Sequence, residues 1–323
     1  MKAIVQERFG PPESLRLEDV GEPVPGEGQV LVRVRAAALN PADWHLLRGS
    51  PVIARPGMGG RRPRNRVAGL DAAGVVERVG PGVSGVETGD EVYGFVAGAF
   101  AEYAVADVTK IAPKPAALSF AEAAALPVAA TTALRGIRDI AGARAGQRVL
   151  VTGASGGVGH FAVQVAVALG AEVTAECSAA NADLARELGA AQVLDYRASD
   201  FTAAPERYDA ILYNAGAKAP RLVLKALTPT GTLVLNDGGT PGGFFGPIGP
   251  MLRGVVLNWF VGPRITLLPT REHRDDLLEV NRLITEGRLR PVISRTYALP
   301  ETARALAELE QGHTRGKAVI EVP

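Results

Sequence analysis

The chain has 323 residues, 47% of them hydrophobic, and a formal net charge of +1. That length suggests about two domains with substantial cores, and near-neutrality argues against nucleic-acid binding, which needs a basic field. A single cysteine, Cys177, excludes an internal disulfide framework, and no stretch reaches the roughly 18 apolar residues of a membrane span. The expectation is a soluble, cytoplasmic protein in a reducing compartment.

Met1-Lys2-Ala3-Ile4-Val5 reads as a first strand rather than a leader. Val30, Val32 and Val34 alternate with Leu31, Arg33 and Arg35, the period of a half-buried strand. The Arg61-Arg62-Pro63-Arg64-Asn65-Arg66 cluster reads as a solvated loop. Ala68–Val79, Thr88–Gly94 and Ala99–Val105 continue a series of short strands between Gly/Pro turns, which suggests a barrel-like β domain. Ser119 and Glu122 have capping-box spacing and open a long Ala-rich helix running to about Ile140.

From there the pattern alternates. Strands are predicted at Val149–Thr152, Glu172–Cys177, Gln192–Tyr196, Ala210–Asn214 and Thr232–Asn236, with helices at Phe161–Leu169, Asn181–Leu188 and Arg221–Leu227. This rhythm specifies βαβ units and a doubly wound parallel sheet. Gly239–Pro250, glycine- and proline-rich yet carrying Phe244, Phe245 and Ile248, reads as an active-site cover. Two helices, Arg271–Glu286 and Glu301–Gln311, precede a final strand, Lys317–Val322. That strand needs a sheet, and the N-terminal β domain is its natural host, which makes that domain discontinuous.

The first strand of the second half runs into Gly153-Ala154-Ser155-Gly156-Gly157-Val158-Gly159 and then an apolar helix. Strand, glycine turn and helix in that order form the context of a dinucleotide-binding loop. Gly156 lets the backbone approach a pyrophosphate, Gly159 lets helix and strand pack closely, and the helix start holds negative charge. The loop also matches that of the short-chain dehydrogenases, which demands a Tyr followed four positions later by Lys. Tyr93, Tyr103, Tyr196, Tyr208, Tyr213 and Tyr297 are followed at that distance by Ala97, Asp107, Asp200, Leu212, Ala217 and Glu301. Lys218, one place beyond Tyr213's demand, is the nearest miss, and the short-chain reading fails.

The whole layout resembles the medium-chain dehydrogenase/reductase superfamily, and within it the zinc-free quinone oxidoreductases and alkenal (enone) reductases. The resemblance rests on Leu39-Asn40-Pro41-Ala42-Asp43-Trp44, Asp71-Ala72-Ala73-Gly74-Val75-Val76, Gly89-Asp90-Glu91-Val92, Ala123-Ala124-Ala125-Leu126-Pro127, the Gly153–Gln164 run and Gly312-His313-Thr314-Arg315-Gly316-Lys317. It implies an α/β fold: a Rossmann doubly wound parallel sheet at 121–264 plus a discontinuous GroES-like β-barrel domain at 1–120 and 265–323. It also implies a homodimer formed along the edge of the cofactor domain, for which Val255–Val261 is the edge-strand candidate.

A catalytic zinc needs three ligands and a structural one commonly four thiolates. One cysteine cannot supply the second, and His45, His160, His273 and His313 show no ligand spacing. Where zinc alcohol dehydrogenases place their first two ligands, this chain carries Asn40 and Leu70. No metal is expected. The remaining chemistry is hydride transfer from a nicotinamide to a quinone or an α,β-unsaturated carbonyl. By resemblance Asn40 and Thr132 lie beside the nicotinamide, and His45 and Arg48 face the substrate cleft; Asn40 read by itself is equally a helix cap before Pro41. The cofactor would meet Ala154, Ser155, Gly156, Gly157, Val158, Ser178, Tyr196, Asn214, Leu235, His313, Thr314 and Arg315. Ser178 and Tyr196 in contact with a 2′-phosphate favour NADPH, whereas Glu176, if it meets the ribose, favours NADH. Arg315 and Lys317 would add positive charge near the cleft. The alternatives are a zinc-free NAD(P)-dependent alcohol dehydrogenase or carbonyl reductase, and a nucleotide-binding sensor without turnover.

Overall fold

A computed structural model describes residues 1–216, 218–236, 258, 262–269, 271–312 and 314–323. The cofactor unit is a six-stranded, wholly parallel sheet. Its strands run in the order Gln192–Asp195, Glu172–Cys177, Arg148–Thr152, Tyr208–Tyr213, Leu227–Leu235 and Arg264–Leu267. The strand order reverses direction between Arg148–Thr152 and Tyr208–Tyr213, and at such a switch point the loops diverge and leave a crevice. Arg264–Leu267 is the edge strand, so the sheet runs past the expected boundary after residue 264.

The other unit is built on a seven-stranded sheet. Ile293–Ala298, Lys317–Glu321, Gln29–Ala38, Asp71–Val79, Glu91–Phe95 and Ile111–Pro113 follow one another, and Tyr103–Asp107 pairs with the first half of Gln29–Ala38. The expected discontinuity is present: Lys317–Glu321 enters antiparallel against Ala36–Ala38. Lys2–Val5 pairs with Arg16–Asp19 at one side.

The long predicted helix from Ser119 is interrupted. Ser119 and Glu122 form the capping box at the start of Phe120–Ala124. Pro127, which has no N–H to continue that helix, opens a second one, Pro127–Leu134. This second helix is apolar almost all round, and one contiguous core explains why. Tyr93 and Phe95 from the first unit, Leu126 and Leu134, and Val149 and Phe161 from the second are buried together. The Gly239–Pro250 cover and all of Val255–Val261 except Asn258 lie outside the described residues.

Candidate active site

The glycine loop starts at the C-terminal end of Arg148–Thr152. Its shape is set by close packing: a Cβ on Gly159 would lie 2.1 Å from the Gly153 carbonyl oxygen and 2.8 Å from Ala154 Cα. Only glycine fits there. Gly156 differs, since a Cβ on it would have one neighbour, the Gly153 oxygen at 3.2 Å. Its outer side faces the crevice. Ala154 is buried beneath the loop, with its N–H donating to the Glu176 carbonyl at 2.9 Å. The N–H groups of Ser155, Gly157 and Val158 have no hydrogen-bond partner among the described residues. They precede the ten-residue helix Gly159–Ala168, whose dipole adds positive potential at the same place. Unpaired donors at a helix start in the switch-point crevice fit a pyrophosphate.

Ser155 and Ser178 are brought together by a residue that the sequence reading missed. Asn181 Nδ2 donates to Ser155 Oγ at 3.0 Å and to Ser178 Oγ at 3.3 Å, joining the glycine loop to the end of the second strand. Its position three residues after Ser178 was the available signal. Tyr196, in the turn just after Gln192–Asp195, is 50% exposed; its N–H donates to the Cys177 carbonyl at 3.3 Å, and the Arg197 guanidinium lies over its ring at 5.3 Å. Asn214 is spent on the strand ends: its Nδ2 donates to the Thr152 carbonyl at 3.1 Å, and its Oδ1 accepts from Asn236 at 2.8 Å. Leu235 is buried in its strand. Thr314 is half-buried, Arg315 is exposed, and His313 lies outside the described residues.

Glu176 is buried on the strand face that also carries Leu150 and Thr174. Burial pushes its carboxyl up to about 7; Lys218 opposes this and Asp200 adds to it. Lys218 itself pairs with Asp200 at 2.9 Å.

The helix Pro41–Arg48 carries the expected substrate-side residues. His45 is half-buried and stacks on Trp44, with ring centroids 3.6 Å apart. Arg48 makes a two-pronged ion pair with Glu310, at 2.5 and 2.8 Å, which clamps this helix to Thr302–Glu310. Asn40 stands at the helix start, but its side chain does not cap the helix. Its Oδ1 accepts from Lys317 Nζ at 2.5 Å and its Nδ2 donates to Asp71 Oδ2 at 2.9 Å. Asp43 does the capping from the other direction, accepting the Asn40 N–H at 2.7 Å. Asp71 Oδ2 also accepts the Val128 N–H at 3.1 Å, in the first turn of the helix that bears half-buried Thr132. The four residues form one buried chain. Burial pushes the Asp43 carboxyl up to about 8, although the Asn40 N–H opposes it, and the Asp71 carboxyl up to about 6, although Lys317 and Asn40 oppose it. Burial lowers Lys317, and the two carboxyls counter that.

His160 plays a structural part. Its Nδ1 meets the Gly156 carbonyl at 2.9 Å and its Nε2 accepts the Val292 N–H at 3.2 Å, so it pins the glycine-loop helix to the other unit. Burial lowers its proton affinity to about 4, which keeps it neutral.

Comparison with known proteins places this geometry in a family. The Alcohol dehydrogenase GroES-like domain profile matches residues 26–116 and the Zinc-binding dehydrogenase profile matches residues 188–320. The chloroplastic quinone-oxidoreductase homolog of Spinacia oleracea is 33% identical, over 97% of this chain and 95% of its own length. The chain belongs to the medium-chain dehydrogenase/reductase superfamily. Another relative, the 2-methylene-furan-3-one reductase of Solanum lycopersicum, is 33% identical over 99% of this chain and 79% of its own length. Among solved structures, the quinone oxidoreductase from Coxiella burnetii superposes with a TM-score of 0.89 at 33% identity, covering 100% of this chain and 99% of its own. A mycobacterial protein complexed with NADPH superposes with a TM-score of 0.85 at 27% identity, covering 99% of this chain and 100% of its own.

Proposed function

We propose that this medium-chain superfamily member is an NADPH-dependent, zinc-independent oxidoreductase that reduces quinones or α,β-unsaturated carbonyls. The observation that carries the cofactor assignment is the set of unpaired N–H groups of Ser155, Gly157 and Val158 beside the joined hydroxyls of Ser155 and Ser178. The first would hold the pyrophosphate; the second, with Tyr196, would meet the 2′-phosphate. Glu176 is compatible with the same preference, because burial raises its carboxyl to about 7 and so leaves it only partly ionised near neutral pH. The two plant relatives, a quinone-oxidoreductase homolog and a 2-methylene-furan-3-one reductase, support the acceptor class.

Zinc does not fit the residues present. At Asn40 the side-chain oxygen already takes a buried ammonium, and no group of three His, Cys, Asp or Glu side chains able to hold a metal exists among the described residues. Bound NADPH would supply the hydride. The protein would hold the cofactor rigidly, present the helix bearing Thr132 to the nicotinamide, and offer half-buried His45 on the substrate side. An enone that accepts hydride at its β-carbon becomes an enolate, which a hydrogen-bond donor stabilises and water can protonate. The single buried cysteine supports a reducing compartment and a cytoplasmic location, which fractionation of expressing cells would check. Among the described residues Arg264–Leu267 is the last strand of the parallel sheet, and a dimer along that side of the sheet is the arrangement we infer.

The deciding experiment follows NADPH and NADH absorbance with a quinone, an enone and a simple aldehyde. Oxidation of NADPH by the first two, faster than by the aldehyde, is expected. Preference for the aldehyde would make the chain a carbonyl reductase, and bound cofactor with no oxidation by any acceptor would sink the enzyme reading.

A further inference from the structure

The seam between the two units holds a polar group that hydride transfer does not require. Lys317, Asn40, Asp71 and Asp43 are 3%, 1%, 0% and 6% exposed. Lys317 Nζ donates to the Leu39 carbonyl at 2.8 Å as well as to Asn40. One oxygen of each carboxyl, Asp43 Oδ1 and Asp71 Oδ1, is buried without a hydrogen-bond partner. Two carboxylates against one ammonium would leave a net buried charge, which costs several kcal/mol even when partly hydrogen-bonded. Asp43 and Asp71, bridged by Asn40, relieve that charge if one of the two carboxyls keeps its proton. The other titratable groups acting on the set are Glu272, facing Asp71 from the segment before Arg274–Thr285, and neutral His160, facing Lys317 from the glycine-loop helix.

The set adjoins the cofactor cradle. A Cβ on Gly157 would meet the Lys317 side chain at 3.4 Å, and the Gly316 N–H donates to the Ser155 carbonyl at 2.7 Å. Asp71 meanwhile caps the helix that carries Thr132 through Val128. One buried chain therefore joins the loop under the pyrophosphate to both sides of the expected nicotinamide position.

We propose that Lys317 is a positioning residue that locks Asn40 to the cofactor cradle, and that the Asp43–Asp71 pair takes up a proton when the anionic cofactor binds. The proposal rests on the glycine loop being the pyrophosphate cradle. Negative charge arriving beside Lys317 raises the potential cost of a second carboxylate anion and draws a proton from the buffer. One carboxylate becomes a carboxylic acid; no other bond changes.

Calorimetric titration of the full chain with NADPH at pH 7.5, without acceptor and in buffers of different ionisation enthalpy, measures the protons taken up. Wild type is expected to take up a resolvable fraction of a proton, and Asp43→Asn, which keeps an acceptor for the Asn40 N–H, is expected to lose most of it while binding within about threefold of wild type. Asp71→Asn serves the same comparison if Asp43→Asn does not fold. Equal uptake by wild type and a folded carboxamide variant would overturn the proton coupling. Lys317→Met is expected to weaken NADPH at least about tenfold while the KM for the acceptor holds, with partial rescue in Lys317→Arg. Unchanged NADPH affinity in a folded Lys317→Met would overturn the positioning role. Binding is read without turnover, so a chain that shows the proton linkage but oxidises no NADPH fails as a reductase alone. A chain that binds neither NADPH nor NADH sinks the cradle assignment on which both readings stand.

Discussion

Gly156 and Gly159 look alike in a sequence, yet the structure assigns them different duties. A side chain at Gly159 would collide with the backbone of its own loop, whereas one at Gly156 would meet only the Gly153 oxygen, at 3.2 Å. Gly159→Ala is therefore expected to lower the unfolding temperature strongly, by a loss of about 3 kcal/mol or more, because the clash is with backbone that cannot move aside. Gly156→Ala should unfold close to wild type while weakening NADPH at least about tenfold. Thermal melts and fluorescence titration of the two variants check this, and a Gly156→Ala protein that binds normally would refute the cradle. Glu176 makes a prediction with a definite sign. Its folded pKa, about 7, lies above the ordinary glutamate value of 4.5. The stability that this group contributes is thus present below about 4.5 and lost as pH rises through 7. Glu176→Gln should gain on wild type by about 1–2 kcal/mol between pH 5 and pH 8, after allowance for solvent screening. Denaturant titrations across that range test it; a difference independent of pH would show the carboxyl to be ionised throughout.

At the scale of elements, the helices Pro41–Arg48 and Thr302–Glu310 are held by the Arg48–Glu310 fork, with the two side chains 33% and 18% exposed. Arg48→Ala and Glu310→Ala should each cost about 1 kcal/mol, and the double variant little more than either. A substrate role for Arg48 would instead raise the acceptor KM in Arg48→Ala and leave Glu310→Ala unaffected. These same elements show what the sequence could reveal. The parallel strands and the glycine loop were legible because their signals are local: period, punctuation and the order of neighbours. The stretch from Ser119 to about Ile140 reads as one helix because its composition is uniform, and Pro127 breaks it. The fork joins residues 262 positions apart, and Lys317 reaches Asn40 across 277. No local pattern encodes such pairings. Asp71 did leave a trace, a charge directly before the apolar run Ala72–Val76, but its partners are set only when the two units close. Asn181 bridges two serines that a linear reading assigned separately.

At the scale of the whole molecule, one buried cluster is shared by the two units, which are also stitched by backbone contacts from Gly316 and by the His160 clip. Thermal unfolding should accordingly be one cooperative transition, with both units melting together. NADPH at about a hundred times its Kd should raise the stability by about 2.7 kcal/mol without splitting that transition. Calorimetry in the presence and absence of NADPH is the check, and two resolved transitions would mean that the seam does not couple the units. The sequence anticipated the fold class, a Rossmann sheet beside a discontinuous β unit, but it could not show that Lys317, Asn40 and Asp71 meet, buried, at the seam.

The insertion of Lys317–Glu321 between Ile293–Ala298 and Gln29–Ala38 also bears on how the protein is made. A nascent chain can assemble the parallel sheet from contiguous βαβ units as they leave the ribosome. The first-made sheet, in contrast, waits with the edge of Ala36–Ala38 unpaired until residue 321 has emerged. For most of synthesis that edge is open to pairing with another chain. Premature termination before Lys317 therefore yields a polypeptide with an intact Rossmann half and a sticky, incomplete partner, a substrate for chaperones or proteases rather than a truncated enzyme.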